Sequence, residues 1–299
     1  MADLLKELLD RLDLEPLEKH LFRGQSQDLG WGAVYGGQVL AQAMWAASKT
    51  VDVKRPLHSF HGYFLRMGDP NRPIIYDVDT IRDGRSFTTR RVVAIQGGKA
   101  IFNMSASFQE EEPGFSHQSD MPDVTQPEDL LPEHEAATHI DEELAAHLPQ
   151  AMVKRAFIEK PIEIRVVERS NPLKPEVREP VSHVWFKANG AVPEEAGGTL
   201  HRMLLAYASD FYLMVTSLNP HGVSWLTPGL QVASLDHAMW FHRPFRMDEW
   251  LLYAVDSPNA SGARGLSRGQ IFTRDGELVA STAQEGLIRQ RKKTERLGP

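Results

Sequence analysis

The sequence predicts an α+β fold of two tandem units, each with a long apolar helix packed against an antiparallel sheet. The order of helix and strand patterns found before residue 113 recurs after residue 150. The later strands of the two halves also align without a gap at a spacing of 177 residues, which places YDVD at 76–79 over YAVD at 253–256. A duplication of one strand–helix–strands unit explains both observations.

The first unit begins with an amphipathic helical pattern over residues 1–20, followed by the short extended stretch LFRGQS. The glycine-rich turn VYGGQ then precedes the helical pattern VLAQAMWAASKT. Four strand-like runs complete the unit: LHSFHGYFL, PIIYDVDTI, SFTTRRVVAIQ and AIFNMSASFQ. A long apolar helix followed by such strands predicts a sheet wrapped around the helix.

The segment at 113–150 is acidic, contains proline and has no period of its own, which is typical of a linker. The second unit, at 151–299, repeats the order of the first unit, at 1–112. Its helix is LHRMLLAYASDFYLMV, and its strand-like runs are PIEIRVVER, VSHVWFKANG, ASLDHAMWFH, WLLYAVDS, GLSRGQIFT and ELVASTAQEGLI. We expect the two units to pair edge to edge and to form a cleft for an elongated ligand.

Composition excludes several classes of function. The chain has 299 residues, of which 41% are hydrophobic and 24% are charged, so it can form a sizeable core. A net charge of −7 argues against nucleic acid and anionic membranes as partners, and no apolar stretch is long enough to span a membrane. The absence of cysteine rules out disulfides, thiolate nucleophiles and cysteine-ligated metals, and it predicts a cytoplasmic location.

One charged residue, Asp210, lies within the apolar stretch LLAYASDFYLMV of the second helix. A carboxylate in such surroundings loses hydration, which costs roughly several kcal/mol without a compensating partner. The same loss raises its proton affinity, so it can serve as a base. The alternative interpretation is that Asp210 caps a helical turn.

Two more polar residues occupy strand positions where apolar residues would be simpler. Ser234 opens the strand ASLDH, and Gln284 lies within the last strand. A hydroxyl and an amide each donate and accept hydrogen bonds, so together with Asp210 they can orient one water molecule. At the 177-residue spacing they correspond to Leu57 and Ser107, and the first helix contains no acid. If the unit needed these groups only for folding, both copies would carry them; the alternative is that both are surface positions.

Three other patterns do not predict a site. GLSRG fits the G-x-S-x-G pattern, but a nucleophile elbow needs a helix after the serine and a later histidine, and no histidine follows His242. The pairs His58 with His61 and His237 with His242 lack a nearby acid at a recognised metal spacing, so we predict no metal site. Phosphate-binding glycine motifs are also missing from the sequence.

An ordered set of segments remains: FRGQS, VYGGQV, LHSFHGYFLRMGDPNRPIIYDV, LAYASD, SLDHAMWFHRPFRMDEWLLY, ARGLSRG and LVASTAQEG. Together they resemble the acyl-CoA thioesterase II family, the bacterial type with its peroxisomal relatives, from about Leu21 to Arg289. The resemblance implies a double hot-dog fold, in agreement with the duplication. It also implies hydrolysis of fatty acyl-CoA to a free fatty acid and coenzyme A.

Carried over by position, the resemblance implies that Asp210, Gln284 and Ser234 are the catalytic aspartate, glutamine and hydroxyl residue. Bacterial members often have threonine where this chain has Ser234; serine keeps the hydroxyl, and its rotamer is less restricted. The implied mechanism is attack of water on the thioester, with no metal or redox cofactor. We further predict that N–H groups at the start of the first helix, at Gly36 and Gly37, stabilise the oxyanion.

Arg264 and Arg268, in ARGLSRG, are predicted contacts for the coenzyme A phosphates, with structural salt bridges as the alternative. Because hot-dog relatives often pair further, we expect a homodimer or homotetramer. Two other functions stay open. A hot-dog enoyl-CoA hydratase uses an aspartate and a histidine a few residues apart, which the adjacent Asp236 and His237 fit poorly. A non-catalytic acyl-CoA-binding protein would need the cleft but not the three polar residues.

Overall fold

The computed structural model describes residues 4–136, 158–194 and 197–291. Its helices are α1 Leu4–Leu12, α2 Gly36–Ser48, α3 Glu133–Ala136 and α4 Gly197–Ser209, with 3-10 helices at Pro127–Asp129 and Met214–His221. Its strands are β1 Glu15–Glu18, β2 Leu21–Gly24, β3 Leu57–Phe64, β4 Ile74–Asp83, β5 Phe87–Gln96, β6 Lys99–Gln109, β7 Ile162–Val166, β8 Val181–Ala188, β9 Leu230–Ser234, β10 Asp236–Phe241, β11 Leu251–Ser261, β12 Arg264–Thr273 and β13 Leu278–Gln290. None of the helices in these ranges has the length and apolar character needed to cross a membrane.

The strands form one antiparallel sheet in the order β1-β2-β4-β5-β6-β3-β10-β13-β12-β11-β8-β7. Strand β9 also pairs with β13, next to β10. The two halves meet in the middle of the sheet, where β3 of the first unit pairs with β10 of the second and Phe60 lies opposite Met239. The two units therefore pair edge to edge, as the sequence predicts.

The duplication is preserved in the pairing of the strands. Strand β12 begins and ends 177 residues after β5. The cross-strand pairs Asp79–Arg91 and Asp256–Arg268 occupy equivalent positions, and each pair forms an ion pair. The turn between the last two strands differs, because it has two residues in the first unit and three in the second.

That extra residue moves β13 by one position relative to β6. Ser267 of β12 and Arg90 of β5 are equivalent, and they lie opposite Gln284 and Ala106, respectively. The prediction that Gln284 corresponds to Ser107 is therefore wrong, and its counterpart is Ala106. The first unit still has no amide at this place, so the contrast between the two copies remains.

The start of α2 lies against the end of α4. The two helices have 13 residues each and begin with two glycines. The Tyr35 hydroxyl, just before α2, donates to the Tyr207 carbonyl oxygen in the last turn of α4 at 2.9 Å. A Cβ atom on Gly37 would lie 2.3 Å from that oxygen, so only glycine permits this approach. The contact joins the helices of the two units at one end.

Three predicted element boundaries are wrong. Helix α1 is shorter than its pattern, and Glu15–Glu18 form a strand that pairs with β2. Helix α4 ends at Ser209, because the left-handed backbone of Tyr212 (φ 63°) cannot continue an α-helix. Asp210 is therefore the first residue beyond the helix and does not lie inside it. Ser234 ends β9 and does not open a strand.

The described part of the predicted linker packs on the sheet of the second unit. The Trp185 indole donates to the Thr125 carbonyl oxygen at 2.9 Å, and Arg274 forms two hydrogen bonds with Glu128 at 2.7 and 2.8 Å. The apolar side chains of the segment cover the buried Trp185 cluster with Met121, Val124 and Leu130. Residues up to 136 thus form a strap across the sheet and not a free spacer; the predicted linker residues 137–150 lie outside the described ranges.

Candidate active site

Asp210 lies directly after α4, and 7% of its side chain is exposed. The Gln284 side-chain amide donates from Nε2 to Asp210 Oδ1 at 3.1 Å. Burial raises the pKa of Asp210 above its ordinary value, and the Gln284 hydrogen bond together with the nearby Gly37 backbone N–H offsets only part of that rise. The site therefore holds a desolvated carboxylate whose proton affinity suits a general base.

The first unit encloses this carboxylate together with the second. A Cβ atom on Gly36 would lie 2.6 Å from Asp210 Oδ2. The N-terminal N–H groups of α2 favour an anion, whereas the C-terminal carbonyl groups of α4 disfavour one. The structure thus places Gly36 and Gly37, the predicted oxyanion donors, beside Asp210. The Gly37 N–H lowers the pKa of Asp210 itself, which the sequence did not predict.

Gln284 lies on β13, and only 1% of its surface is exposed. Since an ionised carboxylate only accepts hydrogen bonds, the amide nitrogen faces Asp210. Within the part of the chain that the structure describes, the other amide atom, Oε1, has no hydrogen-bond partner. The buried hydroxyl of Ser267, opposite Gln284 in the ladder, also lacks one there. The Gln284 oxygen is therefore able to accept a hydrogen bond from a bound water molecule.

Ser234 lies near this pair and, among the described residues, forms no hydrogen bond with it. It is opposite Gly286 in the β9–β13 ladder, two residues from Gln284. Residues two apart in a strand, and residues opposite each other across a ladder, point to the same face. The Ser234 hydroxyl therefore shares the helix-facing side with the Gln284 amide. Among the described residues, only Gln284 of these two is hydrogen-bonded to Asp210.

The first unit lacks these polar groups at the equivalent places. Its residues there are Lys49, Leu57 and Ala106, in the places of Asp210, Ser234 and Gln284, respectively. A lysine after the last turn of α2 is favoured by the helix dipole, whereas an aspartate after α4 is disfavoured. The acid, the hydroxyl and the amide are thus specific to the second unit.

Arg264 and Arg268 lie on the other face of the sheet. Both are exposed residues of β12, whereas Ser267 on the same strand is buried and faces the helices. Side chains alternate between the two faces along a strand, so the arginines point away from the helices. Arg264 pairs with Glu285 at 2.9 Å, and Arg268 pairs with Asp256 at 2.5 Å. The geometry separates both arginines from the carboxylate site and favours salt bridging over the predicted contact with coenzyme A.

Since GLSRG lies inside a strand, its serine is not on a nucleophile elbow.

His237 belongs to the site, and the sequence did not identify it. It is fully buried on β10, with Nε2 3.1 Å from Ser209 Oγ. Its Nδ1 lies 4.0 Å from Asp210 Oδ1 and has no hydrogen-bond partner within the described ranges. A signal was present, because the residue at the matched position of the first unit is Phe60. A polar ring replaces an apolar one there, which is the kind of difference that identified Gln284.

The other side chains proposed for alternative chemistry do not converge. Asp236 lies on the opposite side of β10 from His237, and its Oδ1 accepts the Glu285 N–H at 2.6 Å. The adjacent pair therefore gives no support to a hydratase. Across residues 4–136, 158–194 and 197–291, no three histidine, aspartate or glutamate side chains are grouped so that they could hold a metal ion.

Residues 152–287 match a family model described as acyl-CoA thioesterase, and residues 26–109 match one described as the acyl-CoA thioesterase N-terminal domain. Acyl-CoA thioesterase 2 of Haemophilus influenzae is 45% identical over 289 residues, which cover 97% of this chain and 99% of that protein. Acyl-coenzyme A thioesterase 8 of Homo sapiens is 42% identical over 284 residues, which cover 93% of this chain and 87% of that protein.

Solved structures are similar over nearly the whole chain. The crystal structure of an acyl-CoA thioesterase II from Mycobacterium marinum has a TM-score of 0.74 at 40% identity, covering 95% of this chain and 99% of that one. A hot-dog protein of unknown function from Alicyclobacillus acidocaldarius has a TM-score of 0.76 at 17% identity, covering 96% and 99%. The latter shows the fold alone. With the tandem repeat, these likenesses confirm the predicted double hot-dog fold.

Proposed function

Because the chain belongs to the acyl-CoA thioesterase II family, we propose that it hydrolyses fatty acyl-CoA with a water molecule that Asp210, Gln284 and Ser234 activate. Hydrolysis of acyl-CoA thioesters follows from the family, and the roles of the three residues are the proposal. Its main support is the contact between Asp210 and Gln284, where a buried carboxylate has a raised pKa and is bonded by neutral donors. Such a carboxylate lowers stability, so a chemical role explains its presence.

In the proposed reaction, ionised Asp210 takes a proton from water while the water oxygen bonds to the thioester carbonyl carbon. The Gln284 oxygen orients that water by accepting a hydrogen bond from it, and the Ser234 hydroxyl also orients it. The carbon–sulfur bond then breaks, and coenzyme A leaves as a thiolate. The proton on Asp210 passes to that thiolate, which returns the carboxylate to its ionised form and releases the fatty acid.

The tetrahedral oxyanion needs donors aimed at it before the reaction. Gly36 lies in the first turn of α2, where backbone N–H groups have no helical partner. It also approaches the carboxylate closely, so an oxygen on the attacked carbon can reach the same helix end. We therefore assign the oxyanion to the Gly36 N–H, and we assign the Gly37 N–H to holding Asp210. A cytoplasmic location and a homodimer or homotetramer remain expectations from the sequence.

The test is a single turnover of a fatty acyl-CoA in ¹⁸O-labelled water, with thiol release followed by a thiol reagent. The chain contains no cysteine, so the released coenzyme A is the sole thiol. We expect ¹⁸O in the fatty acid in the first turnover, with no acyl group on Ser234 and no ¹⁸O in the peptide containing Asp210. An acyl-enzyme, or label in Asp210, would show covalent catalysis and contradict the proposal.

A further inference from the structure

The protonation form of His237 follows from its neighbours. The Ser209 hydroxyl donates its one hydrogen to the Ala206 carbonyl oxygen at 3.0 Å. With that hydrogen on Ser209 used in this way, we assign the ring hydrogen to His237 Nε2, which lies 3.1 Å away and then donates to the Ser209 oxygen. Burial lowers the pKa of His237 to about 3, so the ring is neutral at working pH. His237 Nδ1 then holds a lone pair and no hydrogen.

That lone pair lies close to Asp210. Nδ1 is buried, lies 4.0 Å from Oδ1, and has no hydrogen-bond partner in the described part of the chain. While Asp210 is ionised, Nδ1 and Oδ1 are both acceptors, so they form no hydrogen bond with each other. Once Asp210 carries a proton, its O–H needs an acceptor, and a shift of about 1 Å brings Nδ1 within hydrogen-bond distance. Ring stacking with Phe60, at 6.0 Å between centroids, helps to fix the imidazole.

We propose that His237 is a positioning residue that accepts a hydrogen bond from Asp210 after Asp210 has taken the proton from water. The inference rests on the proposed role of Asp210 as the base. By stabilising the protonated acid, His237 makes the carboxylate a stronger base. Its hydrogen bond to Ser209, the residue before Asp210, holds the Nδ1 lone pair toward the carboxylate.

The remaining titratable groups around Asp210 stay neutral during this step. Tyr35, from the segment before α2, and Tyr253, from β11, face the carboxylate. Burial, and then the charge of Asp210, raise the pKa of Tyr35, and burial also raises the pKa of Tyr253. Gln284 does not titrate. A pH profile through the acid range therefore reports Asp210 itself.

The duplication provides the variant that tests this role. Phe60 occupies the place of His237 in the first unit, so the fold accommodates a phenyl ring there. We expect His237→Phe to fold, to lower kcat about tenfold through loss of one hydrogen bond, and to move the acid limb of kcat/KM to lower pH. An unchanged limb with near-normal kcat in folded His237→Phe would overturn the inference.

Two further variants separate the contact with Asp210 from the contact with Ser209. Asparagine places a polar atom near the Nδ1 position, whereas glutamine reaches the Nε2 position. We expect the acid limb of kcat/KM for His237→Asn to lie between those of the wild type and His237→Phe. The acid limb for His237→Gln should match that of His237→Phe. The reverse order would mean that the bond to Ser209 matters and would overturn the inference, even if the phenylalanine variant did not fold.

Asp210→Asn in the same assay separates the two proposals. If it keeps normal activity, the role of Asp210 as the base fails. If it is inactive while all three His237 variants match the wild type in rate and pH profile, only the role of His237 fails.

Discussion

Asp210→Asn is expected to lower kcat at neutral pH by about two to four powers of ten, which is the range for losing a general base. Asparagine has nearly the same shape and keeps a side-chain oxygen beside Gly37, so the binding site should persist. The measurement is steady-state thiol release from a fatty acyl-CoA, with binding of the substrate checked separately. Near-normal kcat in a folded Asp210→Asn protein would remove Asp210 from the mechanism.

The stability of the same variant provides an independent control. Burial raises the pKa of Asp210 in the folded state, so the stability of the wild type decreases as pH rises through that pKa. The amide has no charge to desolvate, so the free energy of unfolding of Asp210→Asn at pH 7 should equal or exceed that of the wild type. The difference should vanish in acid, where the carboxyl is protonated in both states. Denaturant unfolding at pH 7 and in acid measures this difference in the free energy of unfolding.

Gly37→Ala is expected to damage both stability and activity. Its Cβ would lie 2.3 Å from the Tyr207 carbonyl oxygen and 2.5 Å from Tyr35 Cε1, and the former is a backbone atom. The two helices must therefore separate, which costs about 1–3 kcal/mol. The same movement takes the Gly37 N–H away from Asp210, so kcat should fall as well. Thermal unfolding and thiol release measure the two effects.

Gly198→Ala is the matched control, because Gly198 is the second residue of α4 as Gly37 is the second residue of α2. Its Cβ would lie 2.9 Å from Arg202 Nη1, the end of a flexible side chain that can move. Alanine also has a higher helix propensity than glycine. We expect normal activity and unchanged or higher stability. Equal losses in the two variants would show a general effect of the substitution and no special role for the junction between helices.

Much of the fold follows from local pattern. A short window of sequence is enough to show the apolar helices, the strand alternation and the repeated YDVD and YAVD segments. Hydrophobic periodicity is read over windows of that length. Asp210 and Gln284 could be identified because the duplication shows that a unit folds without an acid or an amide at those places. The hydrogen bond between their side chains joins distant parts of the chain, so no local pattern in the sequence shows it.

The features that the sequence did not predict depend on distant parts of the chain. One extra residue in the last turn of the second unit shifts the register of β13, and an ungapped spacing cannot show that shift. The effect of the Gly37 N–H on Asp210 requires the ends of two helices from different units to meet. The sequence did not identify His237 as a site residue, because its distance to Asp210 depends on where β10 lies relative to the end of α4.

We claim one active site per chain, built at the junction of the two units from a carboxylate that only the second unit carries. Calorimetric titration of a non-hydrolysable acyl-CoA analogue measures the number of sites. We expect one binding site per chain, with coenzyme A competing for it and Asp210→Asn leaving the stoichiometry unchanged. Two equivalent productive sites per chain would contradict the claim, because Lys49, Leu57 and Ala106 of the first unit could not supply the same chemistry.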